Sequence, residues 1–341
     1  MVDWSNLPLD IVEGIIGRLG SLDRISMRGV CKAWSVSNPR IPTIDNFPWA
    51  LSGDRLIYPP LHKREVPLRR EEFQMIRNAR PHASSYGWLL FEVVEYKARD
   101  FGNFFLYSPF TSEVIKLPES DFLGVDVATL SLDATSPKCV IFGLRTTWKK
   151  ICIYICSPGD IVWKTYEFDL DRVVLCKVRH VAYTGGILYC VFAGGEFGAF
   201  NLQLKEWTML TLEMLLGFDF QYARLIASDG DLRLMGNRYS EDLRLLKFDF
   251  SEKRWVKEDS LNNRVLFIGG TCFSCPAVRE TSQLANHVFS CLYPTPSVRC
   301  YGTESDSLQY QNWAWTAGRS RIWIEFPSTA IWSANDLVTA H

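Results

Sequence analysis

The sequence has no long hydrophobic run and no excess of charge of either sign. No stretch of about 18 uncharged apolar residues occurs along it, so we expect no membrane span. Lys and Arg total 37 against 38 Asp and Glu, and the formal net charge of −1 predicts no nucleic-acid partner. Asp3, Asp10 and Glu13 interrupt the first apolar residues, so we expect no secretory signal peptide.

The sequence also lacks the signatures of common enzymes. It contains no G-x-S-x-G elbow, no G-x-x-x-x-G-K-[S/T] phosphate loop, no H-E-x-x-H motif and no Rossmann glycine pattern in a βαβ context. The five histidines fall in unrelated segments, and we interpret His180 as a hydrogen-bonded structural residue rather than a base. We therefore predict no catalytic residue and no cofactor.

Cysteine usage indicates a reducing compartment. Several of the ten cysteines lie in apparent strands, which favours buried thiols and localisation to the nucleus and/or cytoplasm. Cys272, Cys275, His287 and Cys291 have a spacing close to that of zinc fingers. Both segments have the pattern of strands, however, so we predict no metal site.

What the sequence does contain first is an apolar helix that is poor at standing alone. Leu7, Ile11, Ile15 and Leu19 recur at helical spacing. Two glycines interrupt the helix, and each weakens it by roughly 1 kcal/mol relative to alanine. Leu22 and Val30 belong to a second apolar set before the prolines that end the unit, which spans residues 3–42. A unit this small cannot bury much surface, so we expect another protein to complete it.

The rest of the chain predicts a connector, a strand-rich domain and a tail. Residues 43–80 contain four prolines and are interpreted as a connector with a short helix, residues 81–330 as the domain and residues 331–341 as the tail. Four segments repeat the order strand, turn, strand, and Ile115, Trp163, Trp207 and Trp255 follow the turns. A strand-turn-strand unit that recurs at nearly regular intervals is typical of propeller blades, and the length of the domain allows five to six blades. A two-sheet sandwich is the alternative fold.

The N-terminal unit resembles the F-box. The resemblance rests on Leu7-Pro8, the ladder of Ile11, Ile15 and Leu19, and then Leu22-Asp23, Val30-Cys31 and Trp34. The remainder resembles plant F-box proteins that end in a kelch-like β-propeller of poorly defined function. That part of the resemblance is carried by residues 108–118, where serine replaces the usual asparagine of N-P-x-T, and by residues 245–274.

The resemblance implies a multidomain α plus all-β protein, with a small three-helix F-box followed by the propeller. In such proteins the F-box docks on a Skp-type adaptor, which links it to a cullin, and the other domain captures a protein substrate for ubiquitination. The adaptor-binding residues would be Leu7, Pro8, Ile11, Ile15, Leu19, Leu22 and Val30. The substrate and its binding residues cannot be read. A regulatory module that sequesters partners outside any ligase, and a propeller enzyme with an unrecognised site, stay open as alternatives.

Overall fold

The structure is a computed structural model of the chain. It describes residues 7, 8, 11, 15, 48–58, 64–93, 103–122, 124–170, 177–210, 218–228, 230–237, 243–258, 261–277, 282, 284–290, 297–302, 313–314 and 321–324. Among these residues, no helix is long and apolar enough to cross a bilayer.

The strands form six small sheets, which are the blades of a β-propeller. Blade 1 consists of β1 Trp49–Ser52, β2 Arg55–Tyr58 and β3 Arg64–Pro67, together with the last strand, β25 Arg321–Ile324. Blade 2 consists of β4 Ala79–Ser85, β5 Trp88–Val93, β6 Asn103–Tyr107 and β7 Val114–Lys116. Blade 3 consists of β8 Val127–Leu130, β9 Ile141–Thr146, β10 Lys150–Cys156 and β11 Lys164–Asp169.

Blades 4 to 6 follow in chain order. Blade 4 consists of β12 Val178–Thr184, β13 Ile187–Phe192, β14 Phe197–Asn201 and β15 Glu206–Leu210. Blade 5 consists of β16 Arg224–Ser228, β17 Asp231–Asn237, β18 Leu243–Asp249 and β19 Arg254–Lys257. Blade 6 has five strands, β20 Arg264–Ile268, β21 Phe273–Pro276, β22 His287–Ser290, β23 Ser297–Gly302 and β24 Trp313–Ala314. Helix α1, Arg70–Ile76, and a 3₁₀ turn, Phe220–Tyr222, lie between blades.

The core lies between the blades, which explains why a single blade could not fold alone. Each of six apolar clusters is shared by two neighbouring blades, and together they link all six blades into a closed ring. Trp163, Trp207 and Trp255 pack against the cluster shared with the preceding blade. Ile115 packs toward the following blade instead. The four repeated segments are the outer hairpins of blades 2 to 5, so the predicted propeller is confirmed and its blades number six.

The last strand closes the ring. β25 pairs antiparallel with β1, with Trp323 opposite Ala50, so blade 1 combines the two ends of the propeller sequence. The mostly apolar run Trp323-Ile324-Glu325-Phe326 by itself predicts a strand that closes the ring, and the structure confirms this for Trp323 and Ile324, whereas residues 325–326 lie outside the described residues. Closure by strand pairing removes an exposed sheet edge.

The predicted connector is wrong over most of its length. Residues 43–80 include β1, β2, β3 and α1, so the propeller begins at Trp49 rather than at residue 81. Two of the four prolines that indicated a connector lie at the ends of strands: Pro48 precedes β1, and Pro67 is the last residue of the outermost strand β3, whereas Pro59 and Pro60 lie outside the described residues. An edge strand tolerates proline because its missing N–H would not be needed in the ladder. The predicted short helix is confirmed as α1.

Candidate functional site

The propeller has two faces, and the chain order shows at which of them the N-terminal segment enters. β1 and β3 run in the same direction because each is antiparallel to β2. β3 leads through α1 to the start of β4, so β1 must begin at the opposite face. The segment that carries the resemblance to the F-box therefore joins the propeller, through residue 48, at the face where the inner strands end. We call the other face, where Arg80, Asp126, Arg179 and Arg224 lie at or next to the starts of the inner strands, the arginine face.

A cavity of about 350 Å³ runs along the propeller axis. The inner strands β4, β8 and β12 and the start of β21 form most of its wall. The segment 269–272, which precedes β21, reaches across the axis. Ser84 N–H in blade 2 donates to Thr271 Oγ1 at 2.6 Å, and Arg224 Nε in blade 5 donates to the Gly269 carbonyl at 3.2 Å. Blade 6 is thus tied to blades 2 and 5 at the axis.

Charged residues of four blades meet at one level of the cavity. In the antiparallel strand pairing, Arg80 lies opposite Glu92 in blade 2, and Arg224 lies opposite Met235 in blade 5. Glu92 and Met235 are each the fifth residue of the second strand of their blade, so the two arginines lie at the same level. Arg179 is the bulge residue at the corresponding point of β12. Asp126, in blade 3, directly precedes β8. All four residues line the cavity.

The acid of blade 2 is held by two neighbours. Glu92 Oε2 lies 2.7 Å from His82 Nε2 and 2.9 Å from the Arg80 guanidinium. Burial disfavours the charged form of Glu92, but the hydrogen bond from His82 and the charge of Arg80 outweigh burial, so the pKa of Glu92 is lowered. Burial also lowers the pKa of His82. The resulting group is a buried carboxylate, a neutral imidazole and a half-exposed guanidinium.

The acid of blade 3 is engaged as well. Asp126 Oδ2 accepts hydrogen bonds from the backbone N–H of Thr146, at 2.8 Å, and from its hydroxyl. Lys177 Nζ lies 3.7 Å from Asp126 Oδ1. Arg179, by contrast, donates to the side-chain oxygen of Gln221, which is a neutral partner. The cations Arg80, Lys177, Arg179 and Arg224 thus exceed the acids Glu92 and Asp126 by two.

His180 and Cys272 lie side by side, and both ring nitrogens of His180 are engaged. Cys272 Sγ is 3.7 Å from His180 Nε2. His180 Nδ1 accepts from the Leu225 amide at 3.1 Å, and the other ring nitrogen lies 3.3 Å from the Gly270 carbonyl. The ring is therefore a neutral tautomer with both nitrogens occupied. Burial lowers the pKa of His180 to about 3 and raises the pKa of Cys272 to about 11. The prediction that His180 is structural is confirmed.

Four of the seven predicted adaptor-binding residues lie among the described ones. Ile11 and Ile15 are helical, and the Ile11 amide donates to the Pro8 carbonyl at 3.1 Å. Ile11 is 48% exposed, Pro8 is exposed, and Leu7 and Ile15 are half-buried. The remaining three lie outside the described residues: Leu19, Leu22 and Val30. Their contribution to adaptor binding, like that of the other four, stays a prediction.

Two aromatic residues at turns, and the residues with zinc-finger spacing, are dispersed over the propeller. Trp148, in the β9–β10 hairpin, is 73% exposed, and Tyr86 lies in the β4–β5 turn. Of the residues with zinc-finger spacing, Cys272 and Cys275 flank the start of β21 and His287 begins β22, whereas Cys291 lies outside the described residues. Among the described residues, no group of three or more His, Cys, Asp or Glu could hold a metal ion.

Sequence reasoning missed the arginine face. An arginine near the start of a short strand has the pattern of any solvated surface residue. The usable signal is that Ala79-Arg80 and Val178-Arg179 begin the inner strands of blades 2 and 4 at the same distance from the hairpin turn. Aligning the inner strands, and not only the outer hairpins, would have revealed it.

Fold and sequence together define an F-box protein with a six-bladed propeller. Residues 4–36 match the F-box domain. Residues 58–311 match the KIB1-4 beta-propeller, and the chain belongs to this family.

The chain is similar to several F-box proteins of Arabidopsis thaliana. The F-box/kelch-repeat protein At1g57790 is 23% identical, over 96% of this chain and 96% of its own. The F-box/kelch-repeat protein At3g18720 is 25% identical, over 74% of this chain and 70% of its own. The predicted family, a plant F-box protein with a C-terminal propeller, is confirmed.

Proposed function

We propose that this protein is the substrate-recognition subunit of an SCF-type (Skp–cullin–F-box) ubiquitin ligase. The observation that carries the proposal is the presence on one chain of an F-box match at residues 4–36 and a closed six-bladed propeller. The F-box would dock on a Skp-type adaptor and, through it, on a cullin. The propeller would hold the target protein.

The mechanism is proximity. A substrate held on the same assembly as the charged ubiquitin carrier experiences a raised effective concentration of that carrier. No residue of this chain performs bond chemistry in this mechanism. The six described free cysteines, five of them buried, support the proposal that the protein works in a reducing compartment, the nucleus and/or cytoplasm.

The exposure of Ile11 in the first helix supports docking on the adaptor. Ile11 is 48% exposed, and apolar surface of this kind is stabilised when a partner helix covers it, by about 25 cal/mol per Å². An aspartate at this position would place a carboxylate in an apolar interface, which is strongly unfavourable.

The proposal is tested by co-purification with a Skp-type adaptor. Ile11→Asp should reduce adaptor affinity at least about a hundredfold, because a buried charge without a partner costs several kcal/mol. Ile161→Asp is the matched control, since Ile161 is 89% exposed on the β10–β11 hairpin of the propeller. Both variants should retain the thermal unfolding of the wild-type propeller.

Failure of the wild-type chain to co-purify with a Skp-type adaptor would contradict the proposal, and two further outcomes would contradict docking through this helix. Undiminished adaptor binding by Ile11→Asp would show that this helix is not the docking surface. A fall in the melting temperature of the propeller in Ile11→Asp alone would show that the helix packs within the chain instead.

A further inference from the structure

We propose that the arginine face captures an acidic segment of a protein substrate, whose carboxylate or phosphate groups bind at the mouth of the axial cavity. The inference rests on the proposed function, because it names the class of protein that the propeller would hold.

Arginine side chains are concentrated at the mouth of the cavity. Arg80, Arg179 and Arg224 come from three different blades and line one cavity. The two acids at the same level are already engaged, Glu92 by His82 and Arg80 and Asp126 by Thr146 and Lys177. The guanidinium group of Arg179 is exposed and donates to the neutral side chain of Gln221. Guanidinium groups bind carboxylate and phosphate through paired hydrogen bonds, so an anionic group fits this mouth.

Exposed aromatic residues lie on the same face as these arginines. Trp148 is 73% exposed and lies two residues beyond Thr146, which binds Asp126. Tyr222 is 41% exposed and follows Gln221, which binds Arg179. Tryptophan, tyrosine and arginine are the residues that contribute most to binding energy in protein interfaces. Their grouping around the mouth favours a peptide segment over a free ion.

The arginine face is also separate from the point where the N-terminal segment enters the propeller. The segment containing the F-box match joins the propeller at the opposite face, through residue 48. An adaptor docked on the side where this segment enters would leave the arginine face to a second protein.

The test uses the full chain and three fluorescein-labelled peptides in an anisotropy titration. One peptide contains glutamate and glycine, the second replaces glutamate with glutamine, and the third carries phosphoserine. The glutamate peptide, the phosphoserine peptide or both should bind, and the glutamine peptide should not. The peptide that binds more tightly, with glutamate or with phosphoserine, identifies carboxylate or phosphate as the preferred ligand group.

Variants then locate the binding. Arg179→Glu should weaken binding about tenfold or more, because it replaces charge-assisted hydrogen bonds with repulsion. Trp148→Ala should weaken it severalfold. Lys138→Glu is the matched control: it changes the net charge equally, but its exposed side chain lies in the β8–β9 connection on the opposite face, so binding should not change.

Binding of the glutamine peptide with equal affinity would overturn the proposal, and so would equal losses in Arg179→Glu and Lys138→Glu. Adaptor binding is measured in parallel on the same proteins. Failure of the peptide titration with adaptor binding intact overturns only this inference. Failure of the wild-type chain to bind a Skp-type adaptor contradicts the ligase role and leaves the peptide result unaffected.

Discussion

At the scale of single residues, His180 joins three parts of the axis. Its ring accepts a hydrogen bond from β16, lies against the Gly270 carbonyl and contacts Cys272. It is buried beside the positive charge of Arg224, and both conditions disfavour its protonation. Sequence reasoning anticipated a structural role because no catalytic motif surrounds this histidine.

The depressed pKa of His180 makes stability depend on pH. In the unfolded chain this histidine binds a proton as the pH falls below 6.5, whereas in the folded protein its pKa is about 3. The unfolded state therefore gains protons first, and the free energy of unfolding falls as the pH decreases from 6.5 toward 3. This residue contributes a slope of about 1.4 kcal/mol per pH unit over that range.

Urea unfolding of the wild type and His180→Gln across that range checks the prediction. His180→Gln should be less stable at neutral pH, because it loses hydrogen bonds, yet its stability should fall less steeply on acidification. Parallel slopes for the two proteins would show that His180 is already protonated in the folded state. Measurements above pH 6.5 isolate the hydrogen-bond loss.

At the scale of secondary-structure elements, β25 is four residues long and closes the ring. Trp323 is completely buried, donates from Nε1 to the Ile268 carbonyl at 3.2 Å, and meets Phe267 edge to face. This single side chain joins blade 1 to blade 6. This strand was predictable from the sequence because two bulky apolar residues, Trp323 and Ile324, are adjacent after the last blade.

Removing this side chain should open the ring. Trp323→Ala should lower the free energy of unfolding by about 3–5 kcal/mol, because it leaves a large cavity between two blades. Trp148→Ala makes the same change at a side chain that is 73% exposed, and it should have little effect. Similar losses in the two variants, measured by chemical denaturation, would show that β25 does not hold the ring closed.

The strands of blade 1 show what sequence reasoning could not reach. β1, β2 and β3 have four residues each, too few for a clear alternation, and prolines stand near them. The outer hairpins of blades 2 to 5 were predictable because a large apolar residue follows each turn. The innermost strands carry no such marker, and their charged residues come together only when the ring closes.

At the scale of the whole molecule, the ring separates two surfaces. The chain reaches the propeller from the F-box segment at one face, and the arginines line the cavity mouth at the other. The family and the propeller were predictable from ordered motifs that extend over most of the chain. The substrate was not, because a binding surface assembled from the starts of several strands has no continuous sequence.

The most direct test of the ligase role is the turnover of captured proteins in cells. Partners are first identified by proximity labelling with the wild-type chain, and their half-lives are then followed after expression of the wild type or of Ile11→Asp. The account predicts that both proteins bind these partners but only the wild type shortens their half-lives. Half-lives that are unchanged by the wild type, or shortened equally by the variant, would contradict it and favour a protein that sequesters its partners.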